Sequence, residues 1–336
     1  MTPHQPSGES GEDRLIARYF RPLAKHPGAL GLADDAAMIT PLSGCDLVLK
    51  TDGVISGVHF FPDDPAGAVA KKVLRMNLSD LAAKGAAPLG FLLAIALPQE
   101  VAEAWIAAFA QGLSEDIEHY GCPLLGGDTD RTPGPLSVSV TALGRVPHGT
   151  MVRRSGAKPG DAVVVTGTIG DAALGLRLRQ DPTAAKRWNL SEAFRDHLLE
   201  RYLLPQPRNA VSELIRRHAS AAMDISDGLA GDLSKLCRAS QVSAKIEIAR
   251  VPLSPAAQTA LAADPGLMDV VLTGGDDYEI VATVTPDNLR EFKSAAATLG
   301  VAVTEIGRVS GGKGEAQFLD SSGHPLSFAR PSFSHF

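Results

Sequence analysis

Apolar positions along the chain recur with two periods. Over residues 66–84 they fall three and four apart, which predicts an amphipathic helix, and Gly85 followed by Pro88 supplies its stop. Residues 101–119 repeat that spacing and end before Gly121. Apolar runs of strand length occupy 91–97 and 136–143, and a briefer run over 46–50 meets the turn-like Thr51-Asp52-Gly53. Residues 15–23 read as a short amphipathic helix, and Leu124-Leu125 run into a second turn-like stretch, Gly126-Gly127-Asp128-Thr129-Asp130. Residues 153–160 (RRSGAKPG) are basic, punctuated by Gly and Pro and poor in apolar side chains, so a domain boundary falls there.

Beyond the boundary, strands are expected over 161–166, 221–224, 278–284 and 301–306. Helices are expected over 171–180, 191–202, 208–218, 229–239 and 288–299. Residues 270–273 lead into Gly274-Gly275-Asp276-Asp277, and the Gly-rich 310–314 reads as a hairpin turn. Strands alternating with helices in both halves argue for α/β or α+β domains. The expected organisation is a disordered tail over 1–12, a first domain over 13–150 and a second over 151–336. Each half carries one Asp-Gly and one Gly-Gly-Asp turn, which hints at duplicated halves although the spacings differ.

Composition removes several functional classes. The 336 residues carry 38 acids against 32 bases, a net charge of -6, so neither nucleic acid nor an anionic membrane is the expected partner. Three distant cysteines, Cys45, Cys122 and Cys237, form neither a disulfide framework nor a thiolate zinc motif, which fits a reducing cytoplasm. The polar N-terminus has no signal-peptide core. The longest uncharged apolar stretch, 86–98, has 13 residues, whereas a span needs about 20.

The acids are unevenly chosen: 24 Asp against 14 Glu, although Glu is the better helix former. A P-loop, the protein-kinase motif set, a nucleophile elbow and a metal-spaced His pair are all missing from the chain. Gly167-Thr168-Ile169-Gly170 between strand and helix has the form of a phosphate-holding turn, although a plain tight turn explains it as well. What remains is the aspartates: Asp34-Asp35, Asp52, Asp80, Asp128, Asp130, Asp224, Asp227, Asp232 and Asp276-Asp277. Any one of them is explained by capping or turn formation. Asp80 inside a helical pattern and Asp224 at the end of an apolar strand are not. Hard oxygen donors without His or thiolate point to Mg²⁺, with Ca²⁺ or Mn²⁺ behind it; Mg²⁺ takes one or two carboxylates and shares its other positions with water and phosphate. Several candidate ligands therefore imply several Mg²⁺ ions and a polyphosphate. Arg153, Arg154 and Lys158 could add direct phosphate contacts or simply form a solvated linker.

Taken together, these motifs resemble those of the thiamine-monophosphate kinases. LIARYF (15–20), DDAA (34–37), TDGVISGVHF (51–60), NLSDLAAKG (77–85) and GGDT (126–129) follow in the family's order. So do RSGAKPGD (154–161), DISDGL (224–229), GGDDYE (274–279) and the terminal SHF (334–336). The resemblance implies two domains: an N-terminal α/β domain whose sheet pairs across a homodimer into a barrel, and a C-terminal α+β domain. It implies ATP-dependent phosphorylation of thiamine monophosphate to thiamine diphosphate by direct in-line transfer, assisted by Mg²⁺. Metal ligands carry over to Asp35, Thr51, Asp52, Asp80, Asp128, Asp224 and Asp227. ATP contacts carry over to Gly127, Asp128, Arg154 and Ser226, and substrate contacts to His59, Asp276 and Phe328. Catalysis is assigned to Asp128, Arg154 and Asp227. No nucleic acid and no membrane enter this picture, and the expected location is cytoplasmic.

Three positions depart from the family. Asp276 stands where Glu is usual, so the contact there is one methylene shorter. Lys50 replaces a small hydroxyl residue, and Phe328 stands where Trp is common, with Phe333 as an alternative. Two other readings keep the motifs: an ATP-using enzyme with another acceptor, and a nucleotide-binding protein that no longer turns over. The many acids oppose the second, since a pure binder has little use for them.

Overall fold

The computed structural model describes residues 11–312, 314–328, 330 and 332. They fall into two compact units, one built from 11–43, 49–77 and 88–144, the other from 44–48, 78–87 and 145 onward.

The first unit opens with α1 (Gly11–Leu15), a π-helical turn (Ile16–Phe20) and a 3-10 turn (Arg21–Leu23), so the helix expected over 15–23 starts earlier and changes pitch twice. Then come β1 (Cys45–Ile55), α2 (Ala66–Ala83), β2 (Ala87–Pro98), α3 (Glu103–Tyr120), β3 (Leu124–Thr132) and β4 (Ser137–Pro147). The strands form one sheet in the order β1-β4-β2-β3. Two expected turns are strand instead. Thr51-Asp52-Gly53 lies inside β1, where the Thr51 hydroxyl donates to the Val140 carbonyl and the Ser139 hydroxyl to the Asp52 carbonyl. Gly126 to Asp130 continues β3 in parallel register with β2, Ala94 opposite Asp128 and Ala96 opposite Asp130. Pairing with a neighbour outweighs the turn preference of Gly and Asp, and Gly127 shows why glycine is needed. A Cβ there would lie 1.8 Å from the Leu93 carbonyl oxygen.

Strand alternation buries one face of this sheet, with Val48, Val54, Phe91, Leu93, Ile95, Val138 and Val140 in the core. The other face stays open and carries Leu47, Leu49, Ile55 and Leu92 exposed. Helices α2 and α3 meet at Gly67 and Gly112, and Arg75 grips the buried Asp116 in a two-point bond of 2.7 and 2.8 Å.

The second unit is built on a six-stranded sheet ordered β10-β7-β9-β5-β8-β6. Its strands are β5 (Ala162–Thr166), β6 (Ala219–Ile225), β7 (Ser243–Glu247), β8 (Glu279–Val284), β9 (Val303–Ser310) and β10 (Ala316–Leu319). Around it lie α4 (Asp171–Gln180), α5 (Ala184–Arg187), α6 (Glu192–Leu203), α7 (Ser212–His218), α8 (Leu229–Ser240), α9 (Pro255–Ala263), α10 (Leu267–Thr273) and α11 (Pro286–Thr298). The central pairs are antiparallel, and only β10–β7 is parallel. Residues 310–314 are therefore not a hairpin, because β7 lies between β9 and β10. Residues 270–273 end a helix.

Both faces of this sheet are covered, which explains why β5 reads Ala-Val-Val-Val-Thr without a polar alternation. Val163 and Val165 join Leu174, Leu198, Leu233 and Val271 on one side. Ala162 and Val164 join Ile215, Phe292 and Ala296 on the other. No helix among the described residues is long and apolar enough to cross a membrane.

Candidate active site

In the first unit the Gly126-Gly127-Asp128-Thr129 segment of β3 and the Asp34-Asp35 bend border one cavity of about 1040 Å³. Its wall is apolar at Phe20, Leu32 and Leu92. Each acid is oriented by its own backbone: Asp34 accepts the Asp35 N–H at 2.8 Å, and Asp128 accepts the Thr129 N–H at 3.0 Å. Asp35, Gly127 and Asp128 thus share one chamber. Asp128 also borders a smaller cavity of about 350 Å³ on the open sheet face, with Asp130 and Ser139.

Thr51 and Asp52 are adjacent on a strand and so leave opposite faces. Thr51 accepts a hydrogen bond from the Thr141 hydroxyl at 3.1 Å, while Asp52 pairs with the Lys50 ammonium at 3.1 Å. Lys50, the unusual residue of this strand, thus serves as a counter-charge for a candidate metal ligand. His59 closes a tight turn in which its Nδ1 accepts the Ile55 N–H at 3.0 Å, which leaves the proton of the neutral ring on Nε2.

In the second unit Asp224 ends β6 and is 3% exposed. The turn that follows is organised by Asp232, one turn into α8, whose Oδ2 accepts the N–H groups of Ser226 (3.0 Å) and Asp227 (2.9 Å). Lys235 bridges Asp227 and Asp232. Burial pushes Asp232 up, opposed by Lys235. Burial pulls Lys235 down, but its two carboxylate bonds outweigh this and leave it raised. The Asp276 N–H donates to the Ser226 carbonyl at 2.9 Å, and the Tyr278 N–H to that of Ile225 at 2.9 Å. The two motifs, 224–229 and 274–279, are therefore stitched backbone to backbone. Gly275 permits it, since a Cβ there would lie 2.4 Å from the Ser226 carbonyl oxygen.

Arg154 lies on an exposed loop held by one hydroxyl. Ser240 Oγ donates to the Arg154 carbonyl (2.8 Å) and accepts the N–H groups of Gly156 (3.1 Å) and Ala157 (3.2 Å). Asp80 lies half-buried in α2. Phe328 packs edge-to-face on the buried Phe318, ring centres 5.5 Å apart. Phe333 and the terminal Ser334-His335-Phe336 lie outside the described residues. The turn over 167–170 presents no open phosphate cradle, because the Asp277 carboxylate already occupies the N-terminus of α4.

Among the described residues no three His, Cys, Asp or Glu converge into a ready-made metal cage. The donor set nevertheless suits Mg²⁺, which accepts carboxylates in ones and twos and completes its shell with water and phosphate. Sequence reasoning missed Lys235, Ser240, and the pair Arg201 and Arg208, which both donate to the buried Glu279 carboxylate. Lys235 had a usable signal, three residues beyond Asp232 on one helix face. The others act across long separations and had none.

Residues 33–146 match the family profile "AIR synthase related protein, N-terminal domain", and 158–320 match "AIR synthase related protein, C-terminal domain". Over 307 residues the chain is 44% identical to the thiamine-monophosphate kinase of Caulobacter vibrioides, covering 90% of this chain and 85% of the relative. The crystal structure of thiamine-monophosphate kinase from Stenotrophomonas maltophilia K279a superposes with a TM-score of 0.81 at 39% identity, covering 94% and 96% of the two chains. AaThiL complexed with AMPPCP and TMP superposes with a TM-score of 0.76 at 30% identity, covering 90% and 91%.

Proposed function

The chain belongs to the thiamine-monophosphate kinases, within the AIR synthase related proteins, and from that footing we propose how its residues carry the reaction. It is an ATP-dependent kinase that phosphorylates thiamine monophosphate to thiamine diphosphate. The observation that carries the residue-level reading is the shared cavity of Asp35, Gly127 and Asp128, where β3 and the Asp34-Asp35 bend border one chamber.

In this reading Gly127, Asp128, Arg154 and Ser226 contact ATP. Asp35, Thr51, Asp52, Asp80, Asp128, Asp224 and Asp227 hold Mg²⁺, and Asp128, Arg154 and Asp227 are the catalytic set. When bound, Mg²⁺ neutralises charge between these carboxylates and the phosphates. The two reactants bring about six negative charges, counting roughly two per phosphate monoester. Arg154 therefore supplies a fixed cation, and the Ser240 hydroxyl holds its loop. The attacking group is already a phosphate oxygen, so no general base is required. His59, Asp276 and Phe328 contact thiamine monophosphate.

The domain division we propose is a metal- and ATP-binding dimerisation domain over 13–150 and an α+β domain over 151–336. A homodimer that closes the open sheet face into a barrel is supported by the exposed Leu47, Leu49, Ile55 and Leu92 on that face. A cytoplasmic location is supported by three cysteines that are all free. Incubation with ATP, Mg²⁺ and thiamine monophosphate tests the function. Thiamine diphosphate and ADP are expected in equal amounts, whereas ADP release without the monophosphate would point to another acceptor.

A further inference from the structure

Two non-glycine residues of the 274–279 segment sit in the left-handed region, Asp276 at φ +74° and Tyr278 at φ +50°. Such backbone is strained and persists only where its surroundings hold it. Between the two lies Asp277, whose side chain is fully buried. Its Oδ2 accepts the Gly170 N–H at 2.8 Å and its Oδ1 the Ala172 N–H at 3.4 Å, at the N-terminus of α4. Arg201 donates to the Asp277 carbonyl at 3.3 Å and to Glu279 at 3.0 Å. The Tyr278 hydroxyl donates to Asp276 Oδ1 at 3.3 Å.

The cap on α4 is at the same time an anchor for the loop. A helix start is ordinarily capped from its own N-terminal residue, but position 170 has φ +87° and a Cβ there would lie 2.6 Å from Val271 Cγ1, so no local side chain can serve. Here position 170 is glycine, and the cap comes from a carboxylate 107 residues along the chain. Burying that carboxylate is costly, and the two N–H groups that it accepts offset part of the cost. The long-range cap does one thing a local cap cannot: it ties the strained loop to the end of a rigid helix. Asp276 then sits between two anchors, the α4 terminus through Asp277 and the 225–226 carbonyls through its own N–H and that of Tyr278.

We propose that Asp277 and Tyr278 are positioning residues for Asp276, the buried carboxylate fixing the loop backbone and the phenol aiming the Asp276 carboxylate at the substrate. The inference rests on the reading of Asp276 as a substrate contact. The motif Gly-Gly-Asp-Asp-Tyr-Glu then divides into one contact residue and the side chains that hold it in place.

The test is steady-state kinetics on D276A, D277N, Y278F and the double variants D276A/D277N and D276A/Y278F, with thermal melts of each. D277N keeps the shape but turns an N–H₂ toward a backbone donor, and Y278F removes only a hydroxyl. D277N is expected to raise the KM for thiamine monophosphate about tenfold and Y278F about threefold, with the KM for ATP unchanged. Each double variant should be no worse than D276A within about twofold, since the positioning residues act through Asp276. Effects that multiply with D276A, or that raise both KM values alike, would overturn the proposal. A silent D276A would instead remove the underlying reading of that residue. Should D277N fail to fold, Y278F and its double decide the matter alone.

Discussion

Asp80 and Asp224 are the acids that capping explains least. Asp80 sits inside a helix, where Asp is a poor former, and Asp224 is almost fully buried at a strand end. Asp80→Asn or Asp224→Asn, each of the same shape without the charge, is expected to lower kcat by about a hundredfold or more while leaving the melting temperature within a few degrees. Near wild-type turnover at low Mg²⁺ would remove either residue from the metal set. A different role belongs to Asp171, which accepts hydrogen bonds from Ser254 (2.5 Å), Thr168 (2.6 Å) and His197 (3.2 Å). Burial raises its carboxyl, but those donors outweigh it and leave the group low. Its bond in turn raises His197 above the ordinary 6.5. The Asp171 share of stability is lost as pH falls through its lowered value. The His197 share is full below 6.5 and is lost as pH rises through its raised value. His197→Gln should therefore cost the most melting temperature on the acid side of 6.5 and progressively less above it. A difference that grows toward alkaline pH would show the sign to be wrong.

Elements were legible where periodicity and punctuation agreed. The spacing over 66–84 and 101–119 corresponds to α2 and α3, and 171–180 coincides with α4. The two misread turns share one cause: Gly and Asp mark turns only when no neighbouring strand claims their backbone. β4 and β2 claim it at 51–53 and 126–130, and a sequence carries no record of which strand lies alongside. Residues 243–263 escaped notice because β7 has only five residues, and α9 is short and Ala-rich with no polar face to mark a period. Between α2 and α3 the Arg75–Asp116 pair joins a half-buried guanidinium to a buried carboxylate. Asp116→Ala removes the carboxylate that the guanidinium grips at two points and should cost about 3 kcal/mol in chemical denaturation. A loss within about 0.5 kcal/mol would mean the helices are held by their apolar contacts alone.

At the scale of the molecule, the open face of the four-stranded sheet is the largest consequence of the fold. β1 is an edge strand and offers Leu49 at 67% exposure, beside Leu47 and Ile55 on the same side. Large apolar side chains lined up on one sheet face mark an association surface. Leu49→Asp is expected to convert a dimer to a monomer in sedimentation velocity while leaving the monomer folded; a wild-type chain that sediments as a monomer would remove the barrel. Composition and order along the chain were enough to point to phosphate chemistry, because oxygen donors, turn glycines and apolar periods are properties of residues and their neighbours. The motifs were likewise enough to point to the family. What they could not contain were the partners across distance: Asp277 reaching α4, Ser240 holding the Arg154 loop, Lys50 pairing with Asp52, and β7 lying between β9 and β10. Each depends on which segments the core brings side by side, and that is decided by burial over the whole chain rather than by any local pattern.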